Sequence, residues 1–311
     1  MSFSATINHK EKYPSISLKD EISECEVEIY SFGALLNSFS VALNGSMINI
    51  VDGFQSSIDA EQNISNGFKS AKLSPFVCRM NKGEYNFGDV NYKIEKFYLL
   101  PHAIHGLIYD AVYEIKTTNA DENSASVTLA YDYSCNDNGY PFNYYSEVVW
   151  TLSANHNLSV TTKVINKTAQ SIPFADGWHP YFTLGTTVDE CSLQFDSNTL
   201  IEFDETLIPT GNKMKDKRFT DPASLKNIFL DNCFELNKNG ACVLQNEKLK
   251  LSILPDATYP FLQVYTPPHR NSIAIENLSA TPDAFNNKMG LLLIEPNNEY
   301  SFTTTYQITT K

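Results

Sequence analysis

Alternation of apolar and polar residues, with a period of two, runs through much of this chain. It is clearest in five segments, residues 26–33, 38–53, 125–135, 147–168 and 249–267. Successive side chains of a β-strand point to opposite faces of a sheet, so such segments are typical of half-buried strands. Turn-forming dipeptides interrupt them at Asn44-Gly45, Asp52-Gly53, Asn138-Gly139 and Asn239-Gly240. The pattern predicts many antiparallel strands joined by tight turns.

Helical signals are few. The candidates are a short polar segment around residues 57–67 and a segment that starts at Asp221-Pro222, where a capping residue precedes proline. No fixed-period repeat and no linker rich in proline, glycine and serine marks a boundary. We therefore predict an all-β protein, a large antiparallel β-sandwich with few short helices, formed as one domain by residues 1–311.

The charge balance restricts the partners. The formal net charge is −13, and the only arginines are Arg79, Arg218 and Arg270. Such a chain has no basic surface for a nucleic-acid backbone and would be repelled by anionic membranes, which leaves neutral small molecules as the favoured ligands. The first twenty residues lack the apolar stretch of a secretory signal, and no run approaches the length of a membrane span. We expect a soluble, cytoplasmic protein.

The motifs of several enzyme classes are missing. The six cysteines form no CxxC pair and no metal-binding spacing with histidine, so we expect free buried thiols and no metal. There is no phosphate-binding loop, dinucleotide fingerprint, serine-hydrolase elbow or HExxH zinc motif. The remaining candidates are scattered His, Arg, Asp and Glu residues, which suit general acid/base chemistry on a hydroxylated ligand.

His179 is the first candidate, in the segment ADGWHPYFTLG. Pro180 biases it toward an extended backbone, so its side chain could point from a strand end into a pocket walled by Trp178, Tyr181 and Phe182. The alternative is a structural histidine bonded to a backbone carbonyl.

Four further candidates are His105, Arg79, Glu276 and Asp231. His105 precedes Gly106, which permits close approach of a backbone or a ligand, and Arg79 offers a rigid fork of donors. Glu276 follows the strand-like residues SIAI and precedes a polar loop, and Asp231 is enclosed by apolar residues, where burial demands a hydrogen-bond partner. Each could instead be structural or surface-exposed.

Five segments together resemble the aldose 1-epimerase (galactose mutarotase-like) family. In chain order they are LSPFVCRM (73–80), AIHGL (103–107), DGWHPYFTL (176–184), LDNCF (230–234) and IAIENLSATPDAFNN (273–287). The resemblance implies His179 as catalytic acid, Glu276 as catalytic base, and Arg79, His105 and Asp231 as sugar-binding residues. It also implies the family's supersandwich fold and no metal or organic cofactor. One departure is Gly106-Leu107, where well-known members have two glycines.

The implied activity is that of an isomerase that interconverts the α and β anomers of a free hexose such as galactose or glucose. Glu276 would need to be ionised and His179 protonated, so we expect a nearby carboxylate to raise the pKa of His179. The alternatives are a hexose-6-phosphate mutarotase, a non-catalytic sugar-binding protein, and a glycoside hydrolase or lyase that uses Glu276 with Asp231 or Glu147.

Overall fold

The computed structural model describes residues 2–237 and 240–311. Strands dominate this part of the chain, and the predicted all-β fold is confirmed. In chain order the strands are β1 (Phe3–Asn8), β2 (Ser15–Asp20), β3 (Cys25–Tyr30), β4 (Leu36–Leu43), β5 (Ser46–Asn49), β6 (Ala71–Leu73), β7 (Arg79–Met80), β8 (Glu84–Phe87), β9 (Val90–Lys93), β10 (Tyr98–Leu99), β11 (His102–Ile104), β12 (Glu114–Ala120), β13 (Ser124–Tyr133), β14 (Tyr144–Ser153), β15 (Asn157–Asn166), β16 (Ile172–Phe174), β17 (Gly177–His179), β18 (Tyr181–Phe182), β19 (Ser192–Phe195), β20 (Ser197–Phe203), β21 (Pro209–Lys215), β22 (Ala223–Ser224), β23 (Asp231–Leu236), β24 (Cys242–Gln245), β25 (Leu249–Pro255), β26 (Phe261–Tyr265), β27 (Ile273–Leu278), β28 (Leu292–Ile294) and β29 (Glu299–Thr310).

Three sheets carry most of the structure. The largest has nine strands in the order β12-β13-β14-β15-β29-β25-β24-β19-β22. The second has the order β21-β20-β23-β26-β27-β17-β6, with β18 also paired to β27, and the third has the order β1-β2-β3-β4-β5. The main core lies between the buried face of the nine-stranded sheet and the other two sheets.

The turn chemistry explains one hairpin directly. Asn44 and Gly45 connect β4 to β5 with φ angles of +53° and +78°, as a two-residue hairpin turn requires. Asp52-Gly53 and Asn138-Gly139 also lie outside strands. Asn239 of the pair Asn239-Gly240 lies outside the described residues.

Helices are short, and one predicted helix is wrong. Helix α1 (Ser57–Asn63) lies in the predicted polar segment, and the Ser56 side chain caps it by accepting from the backbone N–H of Asp59. The segment after Asp221-Pro222 instead forms β22, which pairs with β19 at the edge of the nine-stranded sheet. Pairing with an existing sheet edge outweighs a local capping signal there, because helix propensity is a weak prior.

Within residues 2–237 and 240–311, the remaining helical segments are α2 (Ala284–Asn287) and two 3-10 turns, Asn81–Gly83 and Val188–Glu190. No helix in the described part of the chain is long and apolar enough to cross a membrane. All six cysteines are unpaired; five are buried, whereas Cys135 is exposed, contrary to the expectation for that thiol.

An ion pair lies in the core behind β17. Lys72 and Asp176 have fully buried side chains, with Nζ 2.5 Å from Oδ1. The hydroxyl of Tyr259 donates to the same carboxylate oxygen at 2.7 Å, and Nζ lies 4.5 Å from the ring centre of Trp178. The backbone N–H of Asp176 donates to the hydroxyl of Ser279, so this cluster joins β6, β17 and the end of β27.

Candidate active site

The side chains of β17 and β27 alternate between two faces, and this alternation builds the site. Trp178 packs against Trp150 of the nine-stranded sheet, with ring centres 5.4 Å apart, so its neighbour His179 points to the opposite face. In β27, the amide oxygen of Asn277 accepts from Thr304 in the core, and Glu276 therefore points the same way as His179.

A cavity of about 260 Å³ lies on that face. Its walls come from β17, β18, β20, β23, β26 and β27 and from residues in the segments 65–79 and 97–105. The polar lining consists of Ser65, Cys78, Arg79, His105, His179, Tyr181, Asp231, Gln263, Tyr265 and Glu276, and the apolar lining includes Phe68, Phe97, Leu99, Ile104, Phe203 and Leu207. A mostly apolar cleft with a few convergent polar groups is typical of a small-ligand site.

The five residues predicted as catalytic or sugar-binding all line this cavity. Trp178 and Phe182, expected in its wall, do not line it. Phe182 packs in the core against Tyr306, with ring centres 5.5 Å apart, because it occupies the core-facing position of β18. Tyr181, the adjacent residue, faces the cavity instead and stacks on His179 at 5.1 Å.

His179 and Glu276 form the closest pair of ionisable groups in the site. Nε2 of His179 lies 3.3 Å from Oε1 of Glu276, and their side chains are only 6% and 2% exposed. The backbone holds both strands in place, since the carbonyl of His179 accepts from Ser70 and that of Pro180 accepts from Ile275.

Burial shifts the two groups in opposite directions. It lowers the pKa of His179 to about 4 and raises the pKa of Glu276 well above its usual value, which the charge of Asp231 raises further. The expectation that a carboxylate raises the pKa of His179 is therefore wrong, because desolvation is the dominant effect. The shifts make Glu276 a stronger base and His179 a stronger acid whenever the pair is charged.

His105 lies against His179, with ring centres 4.8 Å apart and the rings nearly perpendicular. Burial, followed by the proximity of His179 and Arg79, lowers its pKa well below the usual value, so His105 is a neutral donor or acceptor at neutral pH. The residue adopts a left-handed backbone with φ +64°, and Gly106 follows at φ +75°. A Cβ on Gly106 would lie 2.3 Å from the carbonyl oxygen of Ser74, which explains the glycine.

Asp231 is positioned by a residue that the sequence reasoning missed. Nε2 of Gln263 donates to Oδ1 of Asp231 at 2.7 Å, while Oε1 of Gln263 is buried without a partner in the described structure. Gln263 also pairs with Glu276 in the strand register. The sequence does contain a signal for Gln263. It is the polar residue in the segment FLQVY, and it lies between Leu262 and Val264, which face the core.

A family model described as aldose 1-epimerase matches residues 14–307. An uncharacterised protein of Escherichia coli K12, YihR, is 29% identical over 231 residues, which is 72% of this chain and 73% of that protein.

Solved structures share the fold. A galactose mutarotase-like protein from Clostridium acetobutylicum superposes with a TM-score of 0.88 at 16% identity, covering 99% of this chain and 98% of its own. A galactose 1-epimerase from Lactobacillus acidophilus superposes with a TM-score of 0.84 at 19% identity, with the same two coverages. At such identities the likeness establishes the fold.

Proposed function

The chain belongs to the aldose 1-epimerase family, and from this premise we propose that it interconverts the α and β anomers of a free hexose such as galactose or glucose. The observation that carries the proposal is the 3.3 Å contact between His179 and Glu276 at a buried position in the cavity wall. Mutarotation needs a base at the C1 hydroxyl and an acid at the ring oxygen, and a buried base and acid side by side meet that need.

In the proposed reaction, Glu276 takes the proton of the C1 hydroxyl. The electrons of that O–H bond form the C1 carbonyl, the bond from C1 to the ring oxygen breaks, and His179 gives its proton to the ring oxygen. The open-chain aldehyde rotates about C1–C2. In closure, neutral His179 takes the proton of the hydroxyl formed from the ring oxygen, and that oxygen forms its bond to the other face of C1. The electrons of the carbonyl π bond move to the carbonyl oxygen, which takes the proton from Glu276.

The charge changes suit a buried site. The productive pair is ionic, with a carboxylate and an imidazolium, and both groups become neutral as the ring opens. Because desolvation penalises the charged forms, the pKa shifts of His179 and Glu276 favour the proton transfers. Before a sugar binds, the ionic pair (carboxylate and imidazolium) and the neutral pair (carboxylic acid and imidazole) hold the same number of protons. The productive ionic pair therefore forms when one proton moves from Glu276 to His179 across the 3.3 Å contact.

The charges of the lining favour an unphosphorylated sugar. Among the described residues that line the cavity, Arg79 is the only Lys or Arg, and it shares the space with Asp231 and Glu276. A sugar phosphate would bring further negative charge toward these carboxylates. We therefore assign Arg79, His105, Asp231 and Gln263 to sugar hydroxyls and the ring oxygen.

Polarimetry tests the proposal. Freshly dissolved α-galactose or α-glucose should lose its initial rotation faster with the enzyme than in buffer alone, and a sugar 6-phosphate should compete weakly. If the rate stays at the buffer value while calorimetry detects sugar binding, the protein is a sugar-binding protein and the proposal fails. Release of reducing sugar from an oligosaccharide would instead indicate a hydrolase.

A further inference from the structure

Cys78 lines the cavity and has an unusual backbone conformation. Its φ is +48°, in the left-handed region that favours glycine. Its carbonyl accepts the backbone N–H of His105 at 2.9 Å, and the next residue is Arg79. Non-glycine residues are held in this region where the surrounding structure determines them, often at functional sites.

The thiol of Cys78 contacts the oxygen of Glu276 that is not engaged by His179. Sγ donates to Oε2 at 3.9 Å, whereas Oε1 faces Nε2 of His179. The two oxygens of this carboxyl group thus have different neighbours, and a carboxyl group held at one oxygen cannot rotate freely about its last bond.

On the basis of the proposed function, we propose that Cys78 is a positioning residue for Glu276: its thiol holds Oε2 and keeps Oε1 directed at His179 and the substrate. A thiol is a weak donor. It can orient the carboxylate while reducing the basicity of Glu276 less than an N–H or O–H donor would. Burial raises the pKa of the thiol well above its usual value, so Cys78 remains a donor at neutral pH.

The test is the pH dependence of kcat/KM in Cys78→Ala and Cys78→Ser. Because the hydrogen bond from Cys78 lowers the pKa of Glu276, its loss in Cys78→Ala should raise that pKa and move the alkaline limb to higher pH. Because a serine hydroxyl is a stronger donor than a thiol, Cys78→Ser should not move the alkaline limb to higher pH. We also expect kcat to fall about threefold or more in Cys78→Ala, while KM changes less than kcat.

The other groups near Glu276 define the control. Those that face it or act on it through their charge are His179, Tyr181, Asp231, Arg79 and Cys233. Cys233, in β23, is buried near Glu276 of β27 but makes no hydrogen bond to it in the described structure. Cys233→Ala should therefore leave the alkaline limb where wild type has it.

The outcomes separate the two proposals. If wild-type enzyme accelerates mutarotation and Cys78→Ala, with an unchanged midpoint of thermal unfolding, retains the wild-type pH profile and kcat, the positioning role is wrong. It is equally wrong if Cys233→Ala moves the limb as far as Cys78→Ala. An inactive wild-type enzyme would contradict the proposed function itself.

Discussion

His179 and Glu276 meet at 3.3 Å across the boundary between β17 and β27, although 97 positions separate them in the sequence. Removing either group should remove general acid/base catalysis, which contributes about 10²–10⁴-fold. Glu276→Gln and His179→Ala should each lower kcat by at least about tenfold, roughly 1.4 kcal/mol of barrier.

Polarimetry with the buffer rate subtracted measures this loss, and His156→Gln is the control. The ring nitrogens of His156 lie within hydrogen-bond distance of backbone oxygens of Ser23 and Ile308, and His156 is not among the residues that line the cavity. Its kcat should stay close to wild type. Acid/base roles for His179 and Glu276 are ruled out if both site variants keep more than a tenth of the wild-type rate.

The dependence of kcat/KM on pH should be bell-shaped, with the histidine responsible for the acid limb and the glutamate for the alkaline limb, the reverse of their usual order. Burial puts the pKa of His179, about 4, below that of Glu276. The acid limb of kcat/KM therefore reports protonation of His179 near pH 4, and the alkaline limb reports loss of the Glu276 proton. Asp231 raises the pKa of Glu276, so Asp231→Asn should move the alkaline limb to lower pH, opposite to Cys78→Ala. An alkaline limb that rises in Asp231→Asn would contradict this assignment.

Replacing Gly106 should lower both stability and activity, because a side chain at this position would collide with Ser74 in addition to straining the backbone. Gly106 and Gly45 have φ of +75° and +78°, but an added Cβ meets Ser74 at 2.3 Å in the first case and nothing within 4 Å in the second. Gly45→Ala should cost about 1–2 kcal/mol of unfolding free energy from backbone strain and leave activity unchanged.

Gly106→Ala should cost a further 1–3 kcal/mol or so from overpacking, and it should lower kcat/KM by displacing His105. Denaturant unfolding and polarimetry on both variants provide the comparison. Equal stabilities for the two alanine variants would show that the contact with Ser74 has no energetic weight.

The Lys72–Asp176 pair should matter for stability more than for chemistry. Lys72→Met leaves a fully buried carboxylate with only the hydroxyl of Tyr259 as partner, and breaking a buried pair in this way costs about 3–5 kcal/mol. Lys72→Met/Asp176→Asn should recover part of that loss, because no unpaired charge remains. Urea unfolding of wild type, Lys72→Met, Asp176→Asn and the double variant gives the four free energies of unfolding. A free energy for Lys72→Met within 1 kcal/mol or so of wild type would refute the prediction.

The alternation of residue types predicted the strands well, because it is imposed by the pleat of the backbone. The runs 147–168 and 249–267 each proved to be two strands joined by a turn, and the helix expected after Pro222 yielded to pairing with β19. The first of these pairs, β14 and β15, is a local hairpin with its turn at residues 154–156. The placement of β25 and β26 in two different sheets and of β22 beside β19 depends on sheet partners that are distant in sequence. The single domain over residues 1–311 stays a prediction.

The residues of the site could likewise be predicted from the sequence, whereas their orientations and pKa values could not. Resemblance to a family singled out His179, Glu276, Arg79, His105 and Asp231, and all five line one cavity. The orientation of Trp178 and Phe182 could not be read from their neighbourhood in the sequence, since it depends on which face of β17 and β18 meets the nine-stranded sheet. The lowered pKa of His179 could not be predicted from the sequence either, because the burial that causes it depends on β17 and β27 lying in the same sheet.

The alternation of Trp178 and His179 has a consequence for how such a protein can change its substrate. Each acid/base residue sits one peptide bond from a core residue, so altering the sheet to suit another sugar would disturb the packing that supports the whole molecule. The rim residues Leu99 and Leu207 face the same cavity without belonging to the main core. Natural variation or directed evolution of sugar preference should therefore accumulate at that rim, while the residues of β17 and β27 stay constant.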